Sequence, residues 1–339
     1  MKQFLSVFFL ICIQNLLAQV GGESVYQFLN LSSSARQTAL GGETLNIMDD
    51  VNQPIWNPSV INTAMDNKVS VNYSSYLAGI NIGSISYAKT LSRRFGTLHG
   101  SIKYLDYGAI IGADEFGVET GKFSANDIAI SLGYAYNIPR SNIFIGANLK
   151  FINATISNYT SFGTAFDFAI LYFSGFKPLS MTLVVRNIGT QLTSYNGVQE
   201  KLPLKIALGV SYRLKYVPLK WYGTLDNLQQ WDISVSNPSR QTSDLEGNVT
   251  KEDISFLSNM FRHIVIGAEL FPDSLINIRA GYNFKRAREL ALQNARTFSG
   301  VSLGFGIKMN KFIFNYAYSK YHAAANASTF SLLINLDKR

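Results

Sequence analysis

Along most of this chain, apolar residues alternate with small or polar ones at a period of two. Between Lys311 and Ser319, Phe312, Phe314, Tyr316 and Tyr318 fall on one face, and Ile313, Asn315, Ala317 and Ser319 on the other. Just upstream, Val301, Leu303, Phe305, Ile307 and Met309 oppose Ser302, Gly304, Gly306 and Lys308. The stretches 127–136, 206–213 and 276–284 repeat the arrangement. Strand side chains point alternately to two faces, so each stretch reads as a strand with one broad apolar face. The opposite face carries Gly, Ala, Ser and Asn, where a soluble sandwich would present Lys, Glu and Thr. That is the pattern of strands with lipid outside and a lumen inside.

Strand and turn signals place about fourteen strands, starting near Lys68, Gly79, Gly96, Ser124, Ile143, Ser161, Leu179, Pro203, Leu219, Arg262, Leu275, Gly300, Lys311 and Ser328. The connections sort by length. After even-numbered strands come short ones such as "SRRFG", "PRSN", "PDS" and "MNK"; after several odd-numbered strands come long polar stretches at 108–122, 190–202, 236–261 and 285–299. Short periplasmic turns and long outer loops are the signature of an outer-membrane barrel with both ends in the periplasm. The expected fold is therefore all-β, an antiparallel transmembrane barrel over residues 68–339. "GINIGSISY" shifts phase near Gly83 and Ser84, which suggests a bulge there.

Composition agrees with this. The 339 residues are 47% hydrophobic and 15% charged, with 18 Tyr and 23 Phe against 3 Trp; soluble domains are about 25% charged. Residues 1–18 have the layout of a cleaved signal peptide, with Lys2, an apolar stretch and Ala18 before Gln19. Cys12, the single cysteine, lies in that leader, and Ile11 before it does not suit a lipoprotein anchor. A mature chain without cysteine has no disulfides and no thiolate metal sites. Export also sets aside nucleic acid as the partner of the net charge of +8; anionic lipid head groups suit it better.

Candidate chemistry is sparse. "GVSLG" at 300–304 fits the G-x-S-x-G hydrolase pattern, but Ser302 sits inside an alternating strand, not on a strand-to-helix turn. "GFG" at 304–306 and "TGKF" at 120–123 are incomplete as nucleotide-binding loops. His99, His263 and His322 have no paired spacing, so no metal site is expected, and neither is a cofactor. Asp127, Asp167, Arg213 and Arg279 fall on the lumen phase, with Glu269 beside them; the phase of Arg186 is ambiguous. A polar network filling the lumen is the reading adopted, and a ligand path is the alternative. "RARELALQ" at 286–293 reads as a short helix in an outer loop.

Residues 19–67 differ from the rest. Val25, Phe28 and Leu29 share one helical face, serines precede "ARQTAL", and Gly41-Gly42 provides a stop, so residues 23–42 read as helical. Asp49 and Asp50 form a turn before Pro54. Too short for a domain, the segment suits a plug, with Val25, Phe28, Leu29, Leu40 and Trp56 packing against the lumen wall.

"ARQTALGGETLNIMDDVNQPIWNPS" resembles the N-terminal region of the long-chain fatty-acid transporter family of outer-membrane barrels, whose Bacteroidetes members carry "ALGGA…DD…WNPA". Ala39, Leu40, Gly41, Gly42, Asp49, Asp50, Trp56, Asn57 and Pro58 match, and Ser59 replaces the usual Ala. That resemblance implies fourteen strands with an N-terminal hatch inside. "GGESVYQFLNLSSSARQTALGG" and "FIFNYAYSKYHAAANASTFSLLINL" are similar to the PorQ family of type IX secretion outer-membrane proteins, although that family often has Pro near Ser32. The resemblance spans Gly21 to Leu336. It implies a non-enzymatic barrel in an attachment complex with PorV, the sortase-like PorU and the surface protein PorZ, which processes cargo and joins it to anionic lipopolysaccharide. Stretches 108–122, 190–202 and 236–261 are then the candidate partner loops. A transporter of hydrophobic molecules is the alternative, and an outer-membrane enzyme a third, which the motifs disfavour. Intact-mass measurement of the exported protein is expected to give a chain beginning at Gln19; retention of residues 1–18 would contradict the leader.

Overall fold

A computed structural model of the chain describes residues 24–92, 95–174, 177–195, 197–234, 242–243, 249–250, 254–289, 298–322 and 325–337. The signal peptide expected at residues 1–18 lies outside the described residues, and so do most of the stretch 236–261 and the end of the helix expected at 286–293.

Fourteen antiparallel strands close into a barrel. They are β1 (Lys68–Ser75), β2 (Asn81–Ser92), β3 (Gly96–Ala113), β4 (Glu119–Asn137), β5 (Ile143–Ile156), β6 (Tyr159–Phe173), β7 (Leu179–Thr193), β8 (Lys205–Arg213), β9 (Leu219–Leu225), β10 (Ile264–Leu270), β11 (Ile276–Asn283), β12 (Val301–Lys308), β13 (Phe312–His322) and β14 (Ala325–Asn335). Neighbours in sequence pair throughout, and β1 closes on β14 with Lys68 opposite Asn335 and Ser75 opposite Ser328. Closure leaves no strand edge unpaired in the membrane. A separate two-residue ladder joins Thr242–Ser243 to Val249–Thr250.

Outward positions carry large apolar side chains, among them Tyr73, Ile85, Leu132, Phe168, Leu183 and Phe330. They would be costly to expose in water and are the lipid-facing band of an outer-membrane barrel. Cross-strand aromatic rows reinforce it: Phe305 lies 5.7 Å from Tyr316, and Tyr316 lies 5.1 Å from Phe330. Inward positions are buried although no neighbouring sheet covers them, because residues 24–67 fill the lumen. This segment starts beside the β7–β8 loop, where Val25 N donates to Lys201 O (3.0 Å), and ends at the opposite rim, where Asn67 O accepts from Leu336 N (2.9 Å).

The plug is less helical than its sequence suggests. Its only α-helix among the described residues is α1 (Ala35–Ala39), with a 3₁₀ turn at Gln27–Asn30 and three more before β1. Gly41 and Gly42 end α1 with positive φ of 96° and 89°; Gly42 N donates to Gln37 O and Gly41 N to Thr38 O, a Schellman stop. Packing against a curved wall, not propensity, sets this conformation.

Glycine on the inner face is what lets the plug in. A Cβ on Gly281 would run into the backbone of Leu40 and Gly41, and one on Gly146 into Pro58 and Ser59. The inner face is small because another backbone lies on it.

Two expectations change, and the ambiguous phase of Arg186 is resolved. β2 has no bulge at Gly83 and Ser84; its ladder to β1 and β3 is continuous there and shifts at Thr90/Ser92 instead. The apparent phase change is Ile82, which points inward, fully buried against the plug's Phe28 and Leu29. The stretch 108–122 is mostly strand: β3 and β4 run past the bulge at Asp106/Ala109 to a tight turn in which Asp114 N donates to Val118 O (2.9 Å). Arg186 points inward, and a bulge follows it at Asn187 (φ 60°). Gly281→Val is expected to lose about 1–3 kcal/mol of barrel stability by overpacking, read from the heat-modifiable gel shift. Gly83→Ala, whose added Cβ meets open space, should stay within about 0.5 kcal/mol; equal effects would contradict the close approach.

Candidate functional site: the plugged lumen

The plug touches every strand of the barrel. On β1, Asn52 Nδ2 donates to Ser70 Oγ (2.9 Å), and on β2, Ser84 Oγ meets Ser33 Oγ (3.0 Å). On β3, His99 Nε2 lies 2.9 Å from Val51 O, and Lys103 Nζ donates to Phe28 O (2.7 Å) and Leu31 O. Lys103 is a buried amine held at the carbonyl end of a 3₁₀ turn. Gly133 of β4 lies beneath Ile61, while Asn148 of β5 donates to Pro54 O (2.7 Å) and Ser161 of β6 bonds the Tyr26 hydroxyl (2.6 Å). On the far side, Asn46 donates to Ser180 and Thr182 of β7, Leu45 covers Gly209 of β8, and Leu40 packs with Tyr222 of β9 and Gly267 of β10. Gly281 of β11 and Gly304 of β12 seat Leu40 and Ala39; Ala317 of β13 packs on Ala35, and Ala35 N donates to Ser331 Oγ of β14 (2.8 Å).

Two charged centres fix this arrangement. In the first, Arg36 of α1 donates to Glu269 Oε2 (2.8 Å) and pairs with Asp49 (2.9 Å). Glu269 also pairs with Arg279 (2.8 Å) and accepts from the Tyr222 hydroxyl (3.1 Å). Arg279 in turn donates to Asn315 Oδ1 (2.8 Å). Burial disfavours the Arg36 charge, but Asp49 and Glu269 more than offset it. Desolvation would raise the Asp49 carboxyl, although its side chain is about half exposed, and Arg36, with Lys220 behind it, instead holds it below the ordinary carboxylate range. In the second centre, the Arg186 guanidinium lies 4.1 Å over the Trp56 ring, and Glu43 pairs with Lys205 (3.0 Å), which also pairs with Asp226 (2.8 Å). Burial raises the Glu43 carboxyl although Lys205 opposes it. Beside them Asp167 pairs with Lys150 (2.7 Å) and accepts from Asn187 N (2.9 Å), so the bulge at Asn187 serves to close this network.

The residues named from sequence fall as follows. Val25, Phe28 and Leu29 lie in one apolar cluster with Ile82, Leu105 and Ile152; Leu40 lies with Ile47 and Tyr222; Trp56 lies with Leu45, Ala169, Val184 and Ala207. Ala39, Gly41 and Gly42 form the end of α1. Asp50 Oδ1 accepts from Asn52 N (2.9 Å), and Asn57 Oδ1 caps the turn that opens with Pro58 by accepting from Ser59 N (3.0 Å). Asn57 Nδ2 donates across the plug to Leu45 O (2.8 Å). Asp127, Asp167, Glu269 and Arg279 are buried inward; Arg213 keeps that phase but stands exposed at the strand end, paired with Asp273. Ser302 is buried in β12 and bonds Ser319 Oγ (2.8 Å). His263 bonds the backbone carbonyls of Asp226 and Trp231, and the His322 side chain lies outside the described residues. Among the described residues no His, Cys, Asp and Glu group could hold a metal. Arg36, Glu43, Lys103 and Lys205 were not singled out from sequence. A lone Arg in the small-residue run "SSSARQTALGG" was the available signal.

Above the plug a cleft of about 340 Å³ opens at the outer rim, floored by Asn30, Ser32 and Glu43 and walled by Tyr76, Asn283, Arg286 and Tyr321. Tyr76 meets Tyr321 edge-on at 4.9 Å, and Arg286, from α2 (Phe284–Glu289), lies 4.1 Å over the Tyr321 ring.

These features define a plugged outer-membrane-type barrel. No protein-family model matches the sequence, and no curated protein matches it. Among solved structures the chain is similar to the TodX monoaromatic hydrocarbon channel (TM-score 0.52, 12% identity, 88% of this chain and 96% of that one). It is similar also to the toluene transporter TbuX of Ralstonia pickettii (0.52, 11%, 91% and 98%) and to a FadL homologue of Pseudomonas aeruginosa (0.51, 9%, 90% and 98%). At these identities the shared property is the fold. Glu269→Ala is expected to cost about 3–5 kcal/mol by leaving Arg36 and Arg279 facing each other. Arg36→Met should cost less, because Glu269 keeps Arg279 and Tyr222. Urea unfolding in detergent micelles measures both, and the reverse order would contradict the network.

Proposed function

We propose that this chain is a non-enzymatic outer-membrane barrel that anchors a surface protein, in the manner that the PorQ-like stretches imply: a membrane component of a type IX secretion attachment complex. Its partner would be a PorZ-like surface protein, with PorU and PorV in the same assembly and anionic lipopolysaccharide as the acceptor of cargo. One observation carries the reading. Plug side chains and backbone contact the wall around its whole circumference, and buried ion pairs tie the plug to β8 and β10, which suits a barrel whose work is done on its outer surface. The β3–β4 hairpin supports it by projecting Phe116 and Val118, 83% and 62% exposed, beyond the outer rim. So does the long β9–β10 connection, where Trp231 stacks on Phe256 at 4.9 Å with Leu257 exposed beside them. Exposed aromatic and aliphatic side chains on an outer loop are the material of a protein interface.

The second reading is a transporter of hydrophobic molecules. The fold likeness to the TodX channel and to TbuX favours it. Transport requires the plug to move or a side opening to form, and the Arg36 and Glu43 pairs oppose the first. Pull-down of the tagged protein from native outer membranes separates the two. Anchoring predicts recovery of a surface protein that is lost when Phe116 and Val118 are replaced by Ser. Recovery of no surface protein, together with hydrophobic molecules bound to the purified barrel, would favour transport and sink the anchor.

A further inference from the structure

The lipid-facing wall is not evenly covered. Across β6 to β10 an apolar slot of about 530 Å³ is framed by Tyr172, Met181, Leu208, Val210, Leu225 and Ile264. Its depth comes from Gly223, which stands in the outward phase between Val210 and Ile266, where bulky neighbours leave a gap. Tyr172 and Met181 sit near the short-turn ends of β6 and β7, while Leu225 and Ile264 sit at the outer ends of β9 and β10. The slot therefore climbs through the hydrocarbon band, as an acyl chain does.

The lower end of the slot is positively charged. Arg213 N donates to Pro178 O (3.0 Å), which brings the β6–β7 and β8–β9 turns side by side. Exposed Lys177 lies on the first turn and exposed Lys215 on the second, while Arg213, in the inward phase, is paired with Asp273. Exposed Tyr212 and Tyr216 stand at the same level, where aromatic rings favour the head-group region. The short turns mark this as the periplasmic side, so the head group meeting the lysines belongs to that leaflet. Apolar slot and cationic collar are separate features, and one molecule satisfies both.

We propose that this face holds one anionic phospholipid of the periplasmic leaflet, its acyl chain in the Gly223 slot and its phosphate on Lys177 and Lys215. The site does not depend on the anchor or the transport reading. Native mass spectrometry of delipidated protein in detergent tests it, with palmitoyl-oleoyl phosphatidylglycerol, the matching phosphatidylcholine and lipid A as probes. Phosphatidylglycerol is expected to be retained one to one with at least tenfold preference over phosphatidylcholine. Gly223→Leu should remove the adduct by filling the slot. Lys177→Gln with Lys215→Gln should remove the preference while the heat-modifiable gel shift stays normal, so the test survives if Gly223→Leu fails to fold. Equal retention of both phospholipids means annular lipid only and overturns the proposal. So does preference for lipid A, or a dimer that Gly223→Leu dissolves, which would make a second copy the occupant.

Discussion

A barrel of fourteen strands encloses more space than its own inward side chains fill, and polar groups buried inside it away from water must find hydrogen-bond partners. Here a single stretch of backbone is pressed against the wall to meet that demand. The close approach at Gly146 and Gly281 leaves no room for a Cβ, so the inner face of the strands is small for a steric reason. The same demand explains the apolar residues that break the strands' alternation. Ile82, Leu105 and Ile152 point inward because Phe28 and Leu29 are there to receive them.

Charge inside such a barrel follows from the packing. Arg36 enters the lumen on α1 and is matched by Glu269 from the wall and Asp49 from the plug; Glu43 enters further along and is matched by Lys205. The Arg36–Glu269 and Glu43–Lys205 pairs join plug to wall, so neither element can leave without stranding a buried charge. A plug tied in this way is held against the wall. What varies in accessibility is the outer surface, the cleft at Tyr76 and Arg286, and the lipid-facing slot at Gly223, and function is assigned to those places.

The strands were legible because each is amphipathic at a period of two. Lys68, Gly96, Ile143, Leu179 and Leu219, named from the sequence, are the observed first residues of the five strands that follow the plug and the first four short turns. Outer ends were less legible: β3 and β4 continue past the membrane band into polar sequence, which reads as loop. The plug's conformation was the least legible part. Residues 23–42 have helical propensity, yet only Ala35–Ala39 is α-helical, since the wall dictates where the chain turns. Asn57 and Pro58 carried their local geometry in the sequence as a cap and a first-turn proline. The pairing of Arg36 with Glu269 spans 233 residues, and no local pattern encodes it.

The central claim is that the plug sits fixed within the lumen. Cys12 is the single cysteine of the chain, so Ala39→Cys in a Cys12→Ser background introduces a single thiol at a fully buried position between α1 and β13. Its rate of labelling by a bulky maleimide in native outer membranes tests the claim most directly. Protection until the barrel is unfolded is the predicted result; labelling at the rate of the unfolded protein would contradict it.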